Sequence, residues 1–84
     1  MNPVIKITVH KGSMEWSDQK VPCWQVDITR AVRDGFTTSM QTFVARTFAI
    51  PEPNVDLIEL RRVRANQYAE QLSEIIGANA VSLA

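Results

Sequence analysis

Near the start of the chain apolar and polar residues alternate, with Ile5, Ile7 and Val9 on one side and Lys6, Thr8 and His10 on the other. A period of two in β-branched residues predicts a half-buried strand, because successive strand side chains point to opposite faces. The alternation lapses from Lys11 to Lys20, where Gly12, Ser13, Ser17 and Asp18 predict a loop carrying Met14 and Trp16. It resumes at Cys23, with Trp24, Val26, Ile28 and Val32 on one side and Gln25, Asp27, Thr29 and Arg33 on the other. Asp34-Gly35 is a residue pair favoured in two-residue hairpin turns, which need positive φ. A hairpin closed there sets Val26 opposite Phe43 and Trp24 opposite Ala45, and a slip of one residue turns every side chain to the other face.

From Phe36 to Ile50 two patterns compete. Met40, Phe43, Val44, Thr47 and Phe48 recur at helical spacing, with Thr38 or Ser39 as a cap. The many threonines oppose a helix, where a β-branched side chain loses rotamer freedom, and the strand is preferred. Pro51-Glu52-Pro53-Asn54 then breaks the chain, since neither proline offers a backbone donor and Pro51 restricts Ile50.

Two predictions also compete beyond the break. A helix capped by Asn54 with Asp56 in its first turn is one. The other splits the segment, because Ala65, Tyr68, Ala69, Leu72, Ile75 and Ile76 share one helical arc from which Leu60 and Val63 are absent. The split is preferred: a strand from Val55 to about Val63, then a helix from about Ala65 to Ile76 ended by Gly77. Residues 78–84 are compatible with a short edge strand or a frayed tail. The expected fold is α+β, an antiparallel sheet of three to four strands with one C-terminal helix packed on one face, in a single compact domain over residues 1–84. The other face of the sheet is expected to stay open.

Composition narrows the chemistry. With 45% apolar and 21% charged residues the 84-residue chain is that of a small globular domain, and nine basic residues balance nine acidic ones. No net field steers it to nucleic acid. The apolar run from Val4 to Val9 is too short for a secretion signal core or a membrane span, so cytoplasm, of a cell or an infected host cell, is the expected location. Cys23 has no second cysteine to pair with and is expected to be a partly buried thiol in a reducing compartment.

The chain holds one histidine and one cysteine, which removes most acid-base and nucleophilic chemistry. His10 has no orienting acid that the sequence identifies, and Cys23 no neighbouring cation to lower its pKa. Neither zinc nor a two-metal site has a ligand set, so no metal, cofactor or enzymatic activity is expected. Trp16, with Glu15, offers a candidate protein-binding anchor, because exposed Trp dominates many interfaces. Glu52, Asp56 and Glu59 supply a candidate acidic edge for a basic protein partner. Arg61, Arg62 and Arg64 form the only basic cluster, a small footprint for nucleic-acid binding.

These features point first to a non-enzymatic protein-binding module. Small viral or mobile-element inhibitors of a host nuclease or defence complex, such as anti-CRISPR proteins, share its short length, neutral charge and lack of catalytic groups. Homodimerisation is compatible with that expectation. The alternatives are a nucleic-acid accessory protein using the three arginines and a homo-oligomeric virion assembly protein.

Overall fold

The computed structural model describes residues 5–77 and 81–83. Strands β1 (Ile5–Trp16), β2 (Gln19–Asp34) and β3 (Thr37–Ala49) form an antiparallel meander, followed by helix α1 (Val55–Ile76) and a short strand β4 (Val81–Leu83). The sheet order is β3-β2-β1-β4, and β4 pairs with β1 in parallel, Ile5 beside Val81. The α+β expectation holds, as does the strand at residues 37–49. The edge strand within residues 78–84 is present, while positions 78–80 and 84, like Val4 at the other end, lie outside the described residues.

Three expectations are corrected. Residues 11–20 are not a loop: β1 runs straight through to Trp16, and Ser17 and Asp18 make a two-residue turn, both at positive φ (48° and 62°). That conformation is the one a tight hairpin demands, although serine adopts it less readily than glycine or asparagine. Residues 55–63 are not a strand but the first turns of α1, with the Asn54 side chain accepting from the Asp56 and Leu57 backbone N–H groups at 2.8 and 3.2 Å. The Val26–Phe43 and Trp24–Ala45 pairings also fail. The second turn is Gly35-Phe36, one residue later than Asp34-Gly35, so Ile28 meets Phe43; a bulge beyond Asp27 then sets Val26 opposite Arg46 and Trp24 opposite Phe48.

One sheet face is built by Ile5, Ile7 and Val9 of β1 and Trp24, Val26 and Ile28 of β2, which meet as Ile7–Ile28 and Val9–Val26 cross-strand pairs. Ile7, Val26, Ala65 and Ala69 are buried at its centre, ringed by Phe48, Tyr68, Leu72 and Ile76. Two alanines let α1 lie close to the sheet, and each larger side chain removed from water there contributes about 1.5–3 kcal/mol. The Trp24 indole N–H donates to the Ile58 carbonyl at 2.9 Å and so ties the start of the helix to mid-sheet. Gly77 closes α1 at φ 113°, its N–H donating to the Ser73 carbonyl at 2.9 Å. Ile75, placed on the buried arc by sequence, is exposed, and so are Leu60 and Val63. The helix does not split to hide them.

The structure is long for its size. Its radius of gyration of 14.8 Å exceeds the roughly 12 Å expected of a compact chain this short. The reason is that the two hairpins run past their neighbours in opposite directions. β1–β2 continues beyond the last β2–β3 pair at Cys23–Ala49, and β2–β3 continues beyond the last β1–β2 pair at Ile5–Arg30.

Candidate functional site

The most exposed region is the β2–β3 arm. From Ala31 to Asp34 β2 pairs with β3 on one side and with no described strand on the other, and every residue of β3 from Thr37 to Val44 is exposed. Phe36 stands fully in solvent at the tip, with Met40 (63% exposed), Phe43 (47%) and Val44 (52%) along the strand behind it. By register Phe43 shares the face of Ile28, and Met40 and Val44 share the face of Asp27, so the arm exposes apolar side chains on both faces.

β3 is also an edge. Among the described residues nothing pairs with its outer side, so a row of backbone N–H and C=O groups faces solvent. Edge strands usually carry lysine, proline or inward charges that deter pairing with another chain. Over its thirteen residues β3 carries a single charge, Arg46, and no proline or lysine. Arg46 itself lies over the rings of Phe48 and Tyr68, 5.0 and 5.3 Å from their centroids, on the side already packed by the helix.

The open sheet face carries a hydrogen-bonded network of titratable groups. Asp27, buried, accepts from Gln25 Nε2 at 2.8 Å and from His10 Nε2 at 2.6 Å, while His10 Nδ1 lies 3.0 Å from the Lys11 carbonyl. Both ring nitrogens face acceptors, a setting that suits the doubly protonated imidazolium. The hydrogen bond to Asp27, then that to Lys11, raises the His10 pKa above its usual value. His10 therefore has an orienting acid, which its sequence surroundings did not reveal. Gly12 makes room for this network, since a Cβ there would come within 2.8 Å of Gln25 Oε1. Cys23 is free and buried, and desolvation pushes its thiol pKa up, away from the thiolate that nucleophilic chemistry needs.

The residues singled out by sequence fall in separate places. Trp16 is half exposed (49%) at the end of β1, beside the first turn, with Glu15 exposed next to it. Glu52 lies in the loop before α1, and Asp56 and Glu59 on its first turns, all exposed. Glu59 is taken up by Arg62, whose Nε donates to its carboxylate at 2.9 Å and holds the Glu59 pKa below the usual range. The three arginines of the basic cluster do not act together. Arg62 binds Glu59, Arg64 borders a shallow polar groove with Arg46, Gln67 and Gln71, and Arg61 turns to the sheet side of the helix near Trp16.

Among the described residues no three His, Cys, Asp or Glu side chains converge as a metal site, and no helix is long and apolar enough to cross a membrane. Sequence reasoning missed the β2–β3 arm as a surface. Its signal was present in the uncharged run from Thr37 to Ala45, which reads as a strand yet lacks the charges of a protected edge. In comparison with known proteins the chain matches no family model, no curated protein and no solved structure.

Proposed function

We propose that this protein is a protein-binding module that captures an extended segment of its partner along the outer edge of β3. The observation that carries this reading is the unprotected edge itself: thirteen residues, one charge, and Phe36, Met40, Phe43 and Val44 exposed on or beside it. Main-chain hydrogen bonds to an added strand supply affinity without a signature motif, and the exposed apolar side chains supply specificity. Occupying a partner's segment in this way is a direct route to inhibition, in keeping with a small inhibitor of a larger complex.

The test is capture of the partner from the native cell, followed by binding measurements with β3 variants. Thr42→Pro removes a backbone donor from the edge strand and Phe43→Lys adds the charge that edges normally carry. Both are expected to weaken binding by at least about tenfold, or 1.4 kcal/mol, while circular dichroism and the thermal midpoint show a folded chain. Binding unchanged by either variant contradicts the proposal.

A second copy of the chain is a particular case of the same surface. With Arg46 the only charge on β3, a twofold-related strand pair places no like charges opposite each other in any register centred away from that residue. Sedimentation that shows a dimer, dissociated by Phe43→Lys, favours this case over a foreign partner.

A further inference from the structure

The end of the molecule opposite the bare arm holds a second, different feature. A cleft of about 220 Å³ lies between the Trp16 indole, Phe48, Ala49 and Pro51, with Thr47 at its side and Arg61 from α1 closing it. Arg61 breaks the pattern of its helix: Ile58, Ala65, Ala69, Leu72 and Ile76 face the sheet, and Arg61 stands in the same row where an apolar side chain would be expected. Its Nε is buried and has no hydrogen-bond partner, and among the described residues no carboxylate pairs with its guanidinium. A buried donor on a charged group without an acceptor is rare in folded proteins. A cation that lines an apolar cleft with no carboxylate beside it among the described residues is a fit for an anionic group with an apolar neighbour.

We propose that this cleft binds the free C-terminal carboxylate of a peptide whose last side chain is apolar. The carboxylate matches the end of the guanidinium fork, taking its two terminal nitrogens while Nε stays buried behind them. The apolar side chain fits against Trp16, Phe48 and Pro51. The volume decides against a nucleotide, because pockets for ligands of that size run from about 300 Å³ upward. The lining also disfavours a polyphosphate, since a single arginine can neutralise one negative charge but not several. Thr47, Phe48 and Ala49 at the end of β3 line the cleft, but the proposal needs no added strand along the outer edge of β3 and is tested separately from it.

The test uses the full chain, labelled with nitrogen-15, and three probes: an acetylated tetrapeptide ending in leucine with a free carboxylate, the same peptide as its amide, and inorganic phosphate. The free acid is expected to shift the Arg61 Nε–H and Trp16 indole N–H resonances in a saturable way, and the amide to bind at least about tenfold more weakly. Arg61→Lys keeps the charge but loses the fork and is expected to weaken the acid response; Trp16→Ala, at a half-exposed position, is expected to weaken acid and amide alike. Equal binding of acid and amide, no shift with the acid, or phosphate binding as tightly as the acid each overturns the proposal.

Discussion

The two ends of this molecule are made alike and finished differently. Each is a two-residue hairpin turn at the end of a strand pair that outruns its neighbour. At the first, Trp16 shares a cleft with Phe48, Pro51 and Arg61, so the chain leaving β3 and the start of α1 close over it. At the second, Phe36, Met40, Phe43 and Val44 stay in solvent with no described element across them. A two-stranded ribbon is marginal in water by itself. The sheet and helix behind it hold the second arm, and its apolar residues add little to that stability. Residues that do not serve the fold are free to serve a partner.

The strongest way to break this contrast is to compare a core substitution with one on the arm. Ile7→Ala, at a fully buried position facing α1, is expected to cost about 2–5 kcal/mol in chemical denaturation. A cost below about 1 kcal/mol would mean that the helix does not pack where the structure places it. The smaller effect in the middle of the range belongs to His10. Its folded pKa is raised, so the stability it contributes is fully present below the usual histidine value of about 6.5 and is lost as pH rises through the folded value. Because the ring is half exposed, solvent screens the interaction and the change is modest. Titration by NMR is expected to give a His10 midpoint above the usual value in the native chain and to return it toward that value in Asp27→Asn. The same midpoint in both proteins removes Asp27 as the cause. The smallest effect belongs to Phe36→Ser, expected to change folding stability by no more than about 0.5 kcal/mol although it removes a whole aromatic ring. A cost approaching that of Ile7→Ala would show that the arm tip is packed, and the contrast between the ends would vanish.

What could be read from the chain follows the same division. Where one sheet face is buried and the other wet, as at Ile5, Ile7 and Val9 or Trp24, Val26 and Ile28, the alternation is clean and the strands were legible. From Gly12 to Trp16 the half-buried positions opposite the buried Cys23 and Val21 are Gly12 and Met14, which give little β-branched alternation, and with Ser17 and Asp18 in place of a glycine turn the segment looks like a loop. Missing that turn also hid the β1–β2 register, and with it the approach of His10 to Asp27. Helix α1 was half legible for a related reason. The angular separation of Leu60 and Val63 from the buried arc was correct, but these residues remain exposed instead of ending the helix. The Trp16–Arg61 cleft was out of reach, because it depends on how far β1 runs past β3 and on which side of a helix Arg61 lies. The sequence marks both residues as candidates, but for two different partners.

The central claim is that β3 offers its outer edge to another chain. Amide hydrogen exchange along Thr37–Ala49, measured for the free protein and for its complex with the partner captured from the native cell, tests it most directly. The account predicts that β3 amides facing outward exchange quickly in the free protein and slow by orders of magnitude in the complex, at alternate positions, as a new ladder of hydrogen bonds protects them. Exchange along β3 that is the same in both states, with protection appearing on another surface, would contradict it.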